Sequence, residues 1–66
     1  MALNKLTGLR VGYGDSQTVL ANYLGIAPNT YSKKETGKQH FLDWEIKKIA
    51  EKYSLSPDEV WAIFFD

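Results

Sequence analysis

Residues 16–38 read SQTVLANYLGIAPNTYSKKETGK, a pattern that predicts two short helices joined by a tight turn. The first of these helices is indicated by residues at i, i+3, i+4 and i+7, namely Gln17, Leu20, Ala21 and Leu24. Either Asp15 or Ser16 can cap it, and Gly25 ends it because glycine takes the left-handed conformation at little cost. The next helix is predicted over Pro28–Glu35, since proline is tolerated in a first helical turn. A joint of only three residues is typical of two helices that meet at a steep angle.

The remaining sequence also has helical periodicity, and no alternating strand pattern interrupts it. An N-terminal helix that ends near Gly14 is indicated by Leu3, Leu6, Leu9, Arg10 and Tyr13. A fourth helix, with Asp43 as its cap, is indicated by the stripe Ile46, Ile49, Ala50 and Tyr53. A fifth helix is indicated by the capping box Ser56-Pro57-Asp58-Glu59. We therefore predict an all-α fold of five short helices in a single domain, residues 1–66.

Composition argues against several classes of protein. The 66 residues include no cysteine and one histidine, which leaves neither a disulfide framework nor the paired ligands of a zinc site. The longest apolar run, VWAIFF, is far shorter than the roughly 20 residues that span a bilayer. No pattern places a nucleophile beside a base, so we expect no enzyme activity, no cofactor and no small-molecule ligand. A cytoplasmic protein without a membrane partner is expected.

The net charge is zero, but the charged residues are distributed unevenly. Residues 1–41 contain five basic and two acidic side chains (+3), whereas residues 42–66 contain three basic and six acidic ones (−3). This division suits a module that meets a polyanion on one side only. In the predicted third helix Tyr31 points inward, which leaves a face of short polar, amide and lysine side chains: Pro28, Asn29, Thr30, Ser32, Lys33 and Lys34. Such a face is typical of a surface that reads DNA.

Beyond this chemistry, individual residues resemble a known family. The chain resembles the helix-turn-helix domain of phage repressors and Cro proteins, the xenobiotic-response-element type, at Leu9-Arg10, Gly14, Ser16-Gln17, Leu20-Ala21, Leu24-Gly25-Ile26, Thr30, Ser32, Glu35 and Gly37-Lys38. More narrowly, it resembles small regulators of phages and mobile elements of Gram-positive bacteria at residues 31–38, Phe41 and residues 63–65. The resemblance implies a compact five-helix lambda-repressor-like domain, with the helix-turn-helix at helices 2 and 3, that binds a double-stranded DNA operator.

The resemblance also implies roles for single residues, with the third helix in the major groove and the second across the backbone. Base contacts are then expected from Pro28, Asn29, Ser32 and Lys33. Asparagine can pair with adenine and lysine can donate to guanine, whereas Pro28 offers only apolar contact or shape. Phosphate contacts are expected from Ser16, Gln17, Thr30, Lys34, Lys38, Gln39 and His40. Arg10 and Glu35 match positions that form a buried ion pair between the first and third helices.

Three positions depart from the family's pattern. Asp15 and Lys34 lie where relatives usually carry apolar residues, and Pro28 lies where a side-chain amide is common. Because Pro28 has no side-chain hydrogen bond to offer, sequence specificity is expected to depend mainly on Asn29 and Lys33.

The predicted fifth helix has more apolar residues than a single face packed against the core can bury. A homodimer interface is therefore expected at Val60, Trp61, Phe64 and Phe65, although the same aromatics can instead complete the core of a monomer.

The leading hypothesis is a Cro-like repressor that occupies a pseudo-palindromic operator. The alternative is a protein-interaction module on the same fold, such as an anti-repressor or an accessory factor, which the neutral net charge favours.

Overall fold

Local sequence signals coincide with most helix ends in the computed structural model, which describes residues 2–65. Its helices are α1 (Asn4–Gly12), α2 (Gln17–Leu24), α3 (Pro28–Glu35), α4 (Asp43–Tyr53) and α5 (Pro57–Phe64), and no strand occurs among the described residues. The predicted all-α fold and the order of five helices are confirmed. None of the helices in residues 2–65 has the length and hydropathy needed to cross a membrane.

The ends of α2 and α3 are set by local chemistry. Ser16 is the N-cap of α2, and its hydroxyl oxygen accepts a hydrogen bond from the Val19 N–H at 3.2 Å. Gly25 follows α2 with a φ of 75°, in the left-handed region that costs a residue with a Cβ roughly 1–2 kcal/mol. Pro28 is the first residue of α3, where its missing N–H removes no helical hydrogen bond. The prediction of α3 over Pro28–Glu35 is confirmed.

The start of α4 differs from the prediction. The sequence predicts Asp43 as the N-cap, but Asp43 is the first helical residue and Leu42 occupies the cap position. Leucine has no side-chain acceptor, so the helix start is stabilised by Glu45, whose carboxylate accepts the Leu42 N–H at 2.7 Å. In α5 the predicted capping box is present, because Ser56 and Glu59 each accept the other's backbone N–H.

The buried core draws its residues from α1 to α4: Leu6, Leu20, Ala21, Leu24, Tyr31, Ile49 and Tyr53. Half-buried Ile63 and Phe64 of α5 pack against this cluster. Phe41, which precedes α4, contacts Tyr31 and Phe64 edge to face at centroid distances of 5.8 and 5.5 Å. Tyr31 thus attaches α3 to the core, and the outer side of that helix stays accessible.

Candidate nucleic-acid interface

The turn between α2 and α3 holds the two helices against the core. The Ile26 N–H donates to the Ala21 carbonyl at 3.0 Å, and the half-buried Ile26 side chain packs against the core cluster. Tyr31, one turn further along, is fully buried. Because one side of α3 is anchored in this way, its opposite side forms a stable exposed face.

The exposed face of α3 carries the four predicted base-contacting residues. Pro28 and Asn29 lie in its first turn, and Ser32 and Lys33 lie one turn later on the same side of the helix. Pro28, Asn29 and Lys33 are exposed, whereas Ser32 is half-buried. Thr30, a predicted phosphate contact, is also half-buried. The helix therefore presents one amide and one ammonium group prominently to solvent.

The loop after α3, residues 36–42, carries the next group of predicted phosphate contacts. Its backbone turns at Gly37, which has a φ of 87°. The N–H groups of Lys38 and Gln39 both donate to the Lys33 carbonyl, at 2.8 and 3.1 Å. Lys38, Gln39 and His40 are exposed. These bonds place a second lysine immediately beyond the end of α3.

Arg10 and Glu35 form a buried ion pair that joins α1 to α3. Two guanidinium nitrogens of Arg10 donate to the two carboxylate oxygens, Nε to Oε1 at 2.9 Å and Nη2 to Oε2 at 3.2 Å. The Tyr31 hydroxyl and the Gln17 side-chain amide also donate to Glu35, at 3.0 and 2.8 Å. Burial alone would raise the pKa of Glu35, but the hydrogen bonds from Arg10, Gln17 and Tyr31 outweigh it and hold that pKa below its ordinary value.

Tyr31 and Glu35 influence each other electrostatically. Burial, together with the negative charge and the hydrogen bond of Glu35, raises the pKa of the Tyr31 hydroxyl. The hydroxyl therefore keeps its proton and remains a donor to the carboxylate. Since Glu35 is both buried and fully hydrogen-bonded, its negative charge does not oppose a polyanion at the face of α3.

The side chains of Ser16 and Gln17 have intramolecular partners. The Ser16 hydroxyl caps α2, and the Gln17 amide donates to Glu35. Gln17 thus supports α3 from the first turn of α2. The backbone N–H groups of this first turn point out of the helix end, which is the arrangement that binds phosphate in other proteins.

Asp15, which lies just before the N-cap of α2, contacts both α1 and α4. Its carboxylate accepts a hydrogen bond from the Tyr53 hydroxyl at 2.8 Å and lies 3.7 Å from the ammonium group of Lys52. Its carbonyl accepts a further hydrogen bond from Arg10 at 2.8 Å. Burial and the hydrogen bond to Asp15 raise the pKa of Tyr53. Asp15 therefore links α4 to the segment before α2.

Lys34 contradicts the prediction that it contacts phosphate. It is only 7% exposed, and its ammonium group donates to both carboxylate oxygens of Glu45, at 2.5 and 2.7 Å. Glu45 is itself 1% exposed. A buried ammonium needs a charged partner, and Glu45 is supplied by α4, eleven residues further along the chain. Periodicity within α3 gives no information about that partner, which is why the sequence argument missed it.

The two ion pairs decide the charge of the exposed surface. Residues 16–42 contain one acidic side chain, Glu35, and three lysines. Glu35 and Lys34 are both buried and paired, so the exposed full charges of this segment are Lys33 and Lys38. A positive surface therefore coincides with α3 and the following loop although the whole chain is neutral.

The predicted dimer residues of α5 fall into two groups. Trp61 and Phe65 are 65% and 56% exposed, and their rings lie 5.4 Å apart. Val60 and Phe64 are half-buried, and Phe64 packs on Phe41 of its own chain.

Within the described part of the chain, no three metal-ligating side chains come together.

Comparison with known proteins identifies the class to which this fold and surface belong. A family model described as helix-turn-helix matches residues 9–60, and the chain therefore belongs to the helix-turn-helix family. It is a DNA-binding regulator with a lambda-repressor-like helical fold, in a family of regulatory domains and not of enzymes. Searches among curated proteins and among solved structures found no match to the chain.

Proposed function

We propose that this chain is a Cro-like repressor that binds a pseudo-palindromic operator, with α3 in the major groove, and prevents transcription by occupancy. The observation that carries the proposal is the charge of the exposed surface: Lys33 and Lys38 face solvent, whereas the nearby acidic residue, Glu35, is buried against Arg10. A surface of this kind attracts phosphate. We propose further that residues 1–66 act as one DNA-binding unit, of the kind used by phages and mobile elements of Gram-positive bacteria.

In this proposal Asn29 and Lys33 provide most of the base discrimination. Both are exposed on α3, and each side chain has the geometry for two hydrogen bonds or a strong donor contact to a base edge. Ser32 is a secondary contact because it is half-buried. Pro28, which has no side-chain donor, contributes through contact with a thymine methyl group or through shape.

Phosphate contacts are proposed at both ends of the helix-turn-helix. At the start of α2 they come from the backbone at Ser16 and Gln17, whose side chains are engaged within the protein. Thr30 of α3 and the loop residues Lys38, Gln39 and His40 complete the set. Lys34 is left out, because its ammonium group is buried against Glu45.

A homodimer is proposed through α5. Trp61 and Phe65 form an exposed aromatic pair that a second copy would remove from water, with Val60 and Phe64 at its edge. A two-fold dimer would place two α3 helices about 34 Å apart, which is one turn of DNA. A Trp61→Ser variant is therefore expected to weaken self-association and operator binding together, as measured by sedimentation and by DNA titration.

The proposed function is tested by titration against DNA that the protein itself selects from a random-sequence pool. Affinity should fall steeply with salt and should remain sequence-dependent. Lys33→Ala should lose about 1–3 kcal/mol of discrimination at one base pair. Lys38→Ala should weaken binding to all sequences and reduce the salt slope by about 1. Lys47→Ala, an exposed lysine of α4, is the matched control. Absence of binding at low salt would contradict the proposal.

A second candidate, a protein-interaction module such as an anti-repressor or accessory factor, is favoured by a separate observation. The chain has no net charge, and its exposed apolar residues include Trp44, Trp61 and Phe65. A protein partner would use such aromatics as anchors. If the selected DNA pool shows no sequence preference while Trp61→Ser abolishes a specific protein complex, this second function holds.

A further inference from the structure

We propose that Lys34 and Glu45 form a positioning pair that holds the loop of residues 36–42 against α3. Residues of α3 can then contact bases while the loop contacts phosphates of the same DNA site. The inference rests on the proposed function, because it assigns the pair a role in DNA binding. Lys34 lies on α3 beside the base-contacting residues, and Glu45 lies in the first turn of α4. The pair therefore spans the two ends of the loop that carries Lys38, Gln39 and His40.

Three hydrogen bonds converge on the Glu45 carboxylate. Its two carboxylate oxygens accept the Lys34 ammonium at 2.5 and 2.7 Å, and Oε1 also accepts the Leu42 N–H at 2.7 Å. Leu42 is the last residue of the loop and the N-cap of α4. One carboxylate thus joins a side chain of α3 to the backbone at the far end of the loop.

Besides Glu45, the loop is attached to α3 at its near end, where Thr36 and Gly37 bond to the carbonyls of Ser32 and Lys34, and it is attached to the core through Phe41. At its near end, the N–H groups of Lys38 and Gln39 bond to the Lys33 carbonyl. In its middle, Phe41 contacts Tyr31 and Phe64. On its other side an open groove, lined in part by Gly37, Gln39, His40 and Phe41, borders α5 and the N-terminal segment. Since the loop borders this groove and not a packed neighbour on that side, the contacts at its two ends determine where Lys38 lies.

Net stabilisation does not explain why the two buried side chains are charged. A buried ion pair contributes little net stability, and apolar residues of similar size often replace one without loss. The need to fill space at position 34 therefore does not by itself account for a buried lysine. The charged pair instead makes directional contacts. Glu45 accepts hydrogen bonds from Lys34 and from the Leu42 N–H, and together these bonds fix one conformation of the loop.

The test is a double-mutant comparison on a mixed-sequence DNA duplex. In the native background, Lys38→Ala should weaken binding about tenfold at moderate salt, which corresponds to the loss of about one phosphate contact. In a Lys34→Met/Glu45→Met background the same substitution should cost at least about threefold less, because Lys38 is no longer held at the phosphate. Amide hydrogen exchange of Lys38 and Gln39 should also be faster in that background, by more than the change in global stability accounts for.

Controls separate positioning from a merely structural role. Lys52→Met removes an ion pair with Asp15 that is remote from the loop, and it should leave the cost of Lys38→Ala unchanged. If the double variant does not fold, Lys34→Met/Glu45→Gln replaces it, since glutamine keeps an acceptor for the Leu42 N–H and no buried charge is left without its partner. Equal costs of Lys38→Ala in both backgrounds would overturn the inference. Failure of the native protein to bind any duplex would overturn the proposed function instead.

Discussion

Lys34 and Glu35 are neighbours in α3, yet their surroundings differ in a way that sets the behaviour of the whole helix. Glu35 accepts hydrogen bonds from Arg10, Gln17 and Tyr31. The ammonium of Lys34, in contrast, donates to one carboxylate, that of Glu45. Consecutive helical residues point about 100° apart, so one charge is directed to α1 and α2 and the other to α4.

This difference indicates what each region contributes. The Glu35 region holds the three N-terminal helices together through a carboxylate that satisfies several buried donors at once. The Lys34 region joins only two elements, and its replacement by apolar residues leaves few polar groups without partners. We therefore expect the first region to control stability and the second to control the geometry of the DNA-binding surface.

The largest expected effect comes from breaking the Glu35 region. Arg10→Met leaves the Glu35 charge buried without its cation, which should cost about 3–5 kcal/mol of the free energy of unfolding. Domains are stabilised by only about 5–15 kcal/mol, so this variant should be partly unfolded at room temperature. Urea denaturation followed by circular dichroism measures the loss. Lys47→Met, at an exposed site on α4, is the control, and a loss as small as in that control would contradict the expectation.

Removal of both charges of each ion pair tests whether the Glu35 and Lys34 regions differ in their contribution to stability. Arg10→Met/Glu35→Met should remain destabilised by about 1–3 kcal/mol, because the buried Tyr31 hydroxyl loses its acceptor. Lys34→Met/Glu45→Met should cost less, about 1 kcal/mol at most, because apolar side chains often replace a buried ion pair without loss and only the Leu42 N–H loses its acceptor. The two unfolding free energies are measured under one condition. Equal losses in the two double variants would show that the regions do not differ as we infer.

A smaller effect is expected from a single donor to Glu35. Tyr31→Phe removes one hydrogen bond to a charged acceptor and leaves the Arg10 and Gln17 bonds in place, which should cost about 1.5–3 kcal/mol. Tyr53→Phe is a matched control, since it removes a hydrogen bond to the more accessible carboxylate of Asp15 and should cost less. Thermal unfolding of both variants tests the order, and equal losses would show that burial of the acceptor does not matter.

The smallest effect concerns pH. The pKa of Glu35 lies below its ordinary value of 4.5, so the folded state favours the charged carboxylate. Its contribution to stability is fully present above pH 4.5 and is lost as the pH falls through the lower pKa of the folded state. Titration of the Glu35 carboxyl carbon by nuclear magnetic resonance should give a midpoint below 4.5. A midpoint at or above that value would contradict the hydrogen-bond network described for Glu35.

Much of the fold was predictable because the signals that set the helix ends are local. Ser16, Gly25 and Pro28 act through their own backbone or through groups within one turn, so α2 and α3 were predicted correctly. The start of α4 was predicted wrongly at Asp43, because Glu45 stabilises it and also serves Lys34. The family resemblance led to the position of Arg10 opposite Glu35, and the structure contains that ion pair.

The candidate surface was predictable only in part. Asn29, Lys33 and Lys38 are exposed, as their residue types suggested, and their contacts with DNA remain proposals. The resemblance implies a phosphate contact for Lys34, but the structure buries its ammonium group against Glu45 of α4, a partner that local sequence does not reveal. Trp44 is 48% exposed on α4, and nothing in the structure explains its position.

The sequence by itself determined the helices, their order and the polar character of α3, since each depends on interactions within a few residues. Tertiary structure alone decided which charges reach the surface. Lys34 and Glu45 are eleven residues apart, and Arg10 and Glu35 twenty-five. Whether such side chains meet depends on how the helices pack. A charge is buried only where a partner, often remote in sequence, lies close enough in space to offset the cost of desolvation. The stretch from Ser16 to Lys38 therefore presents two lysines to solvent, although its sequence contains three.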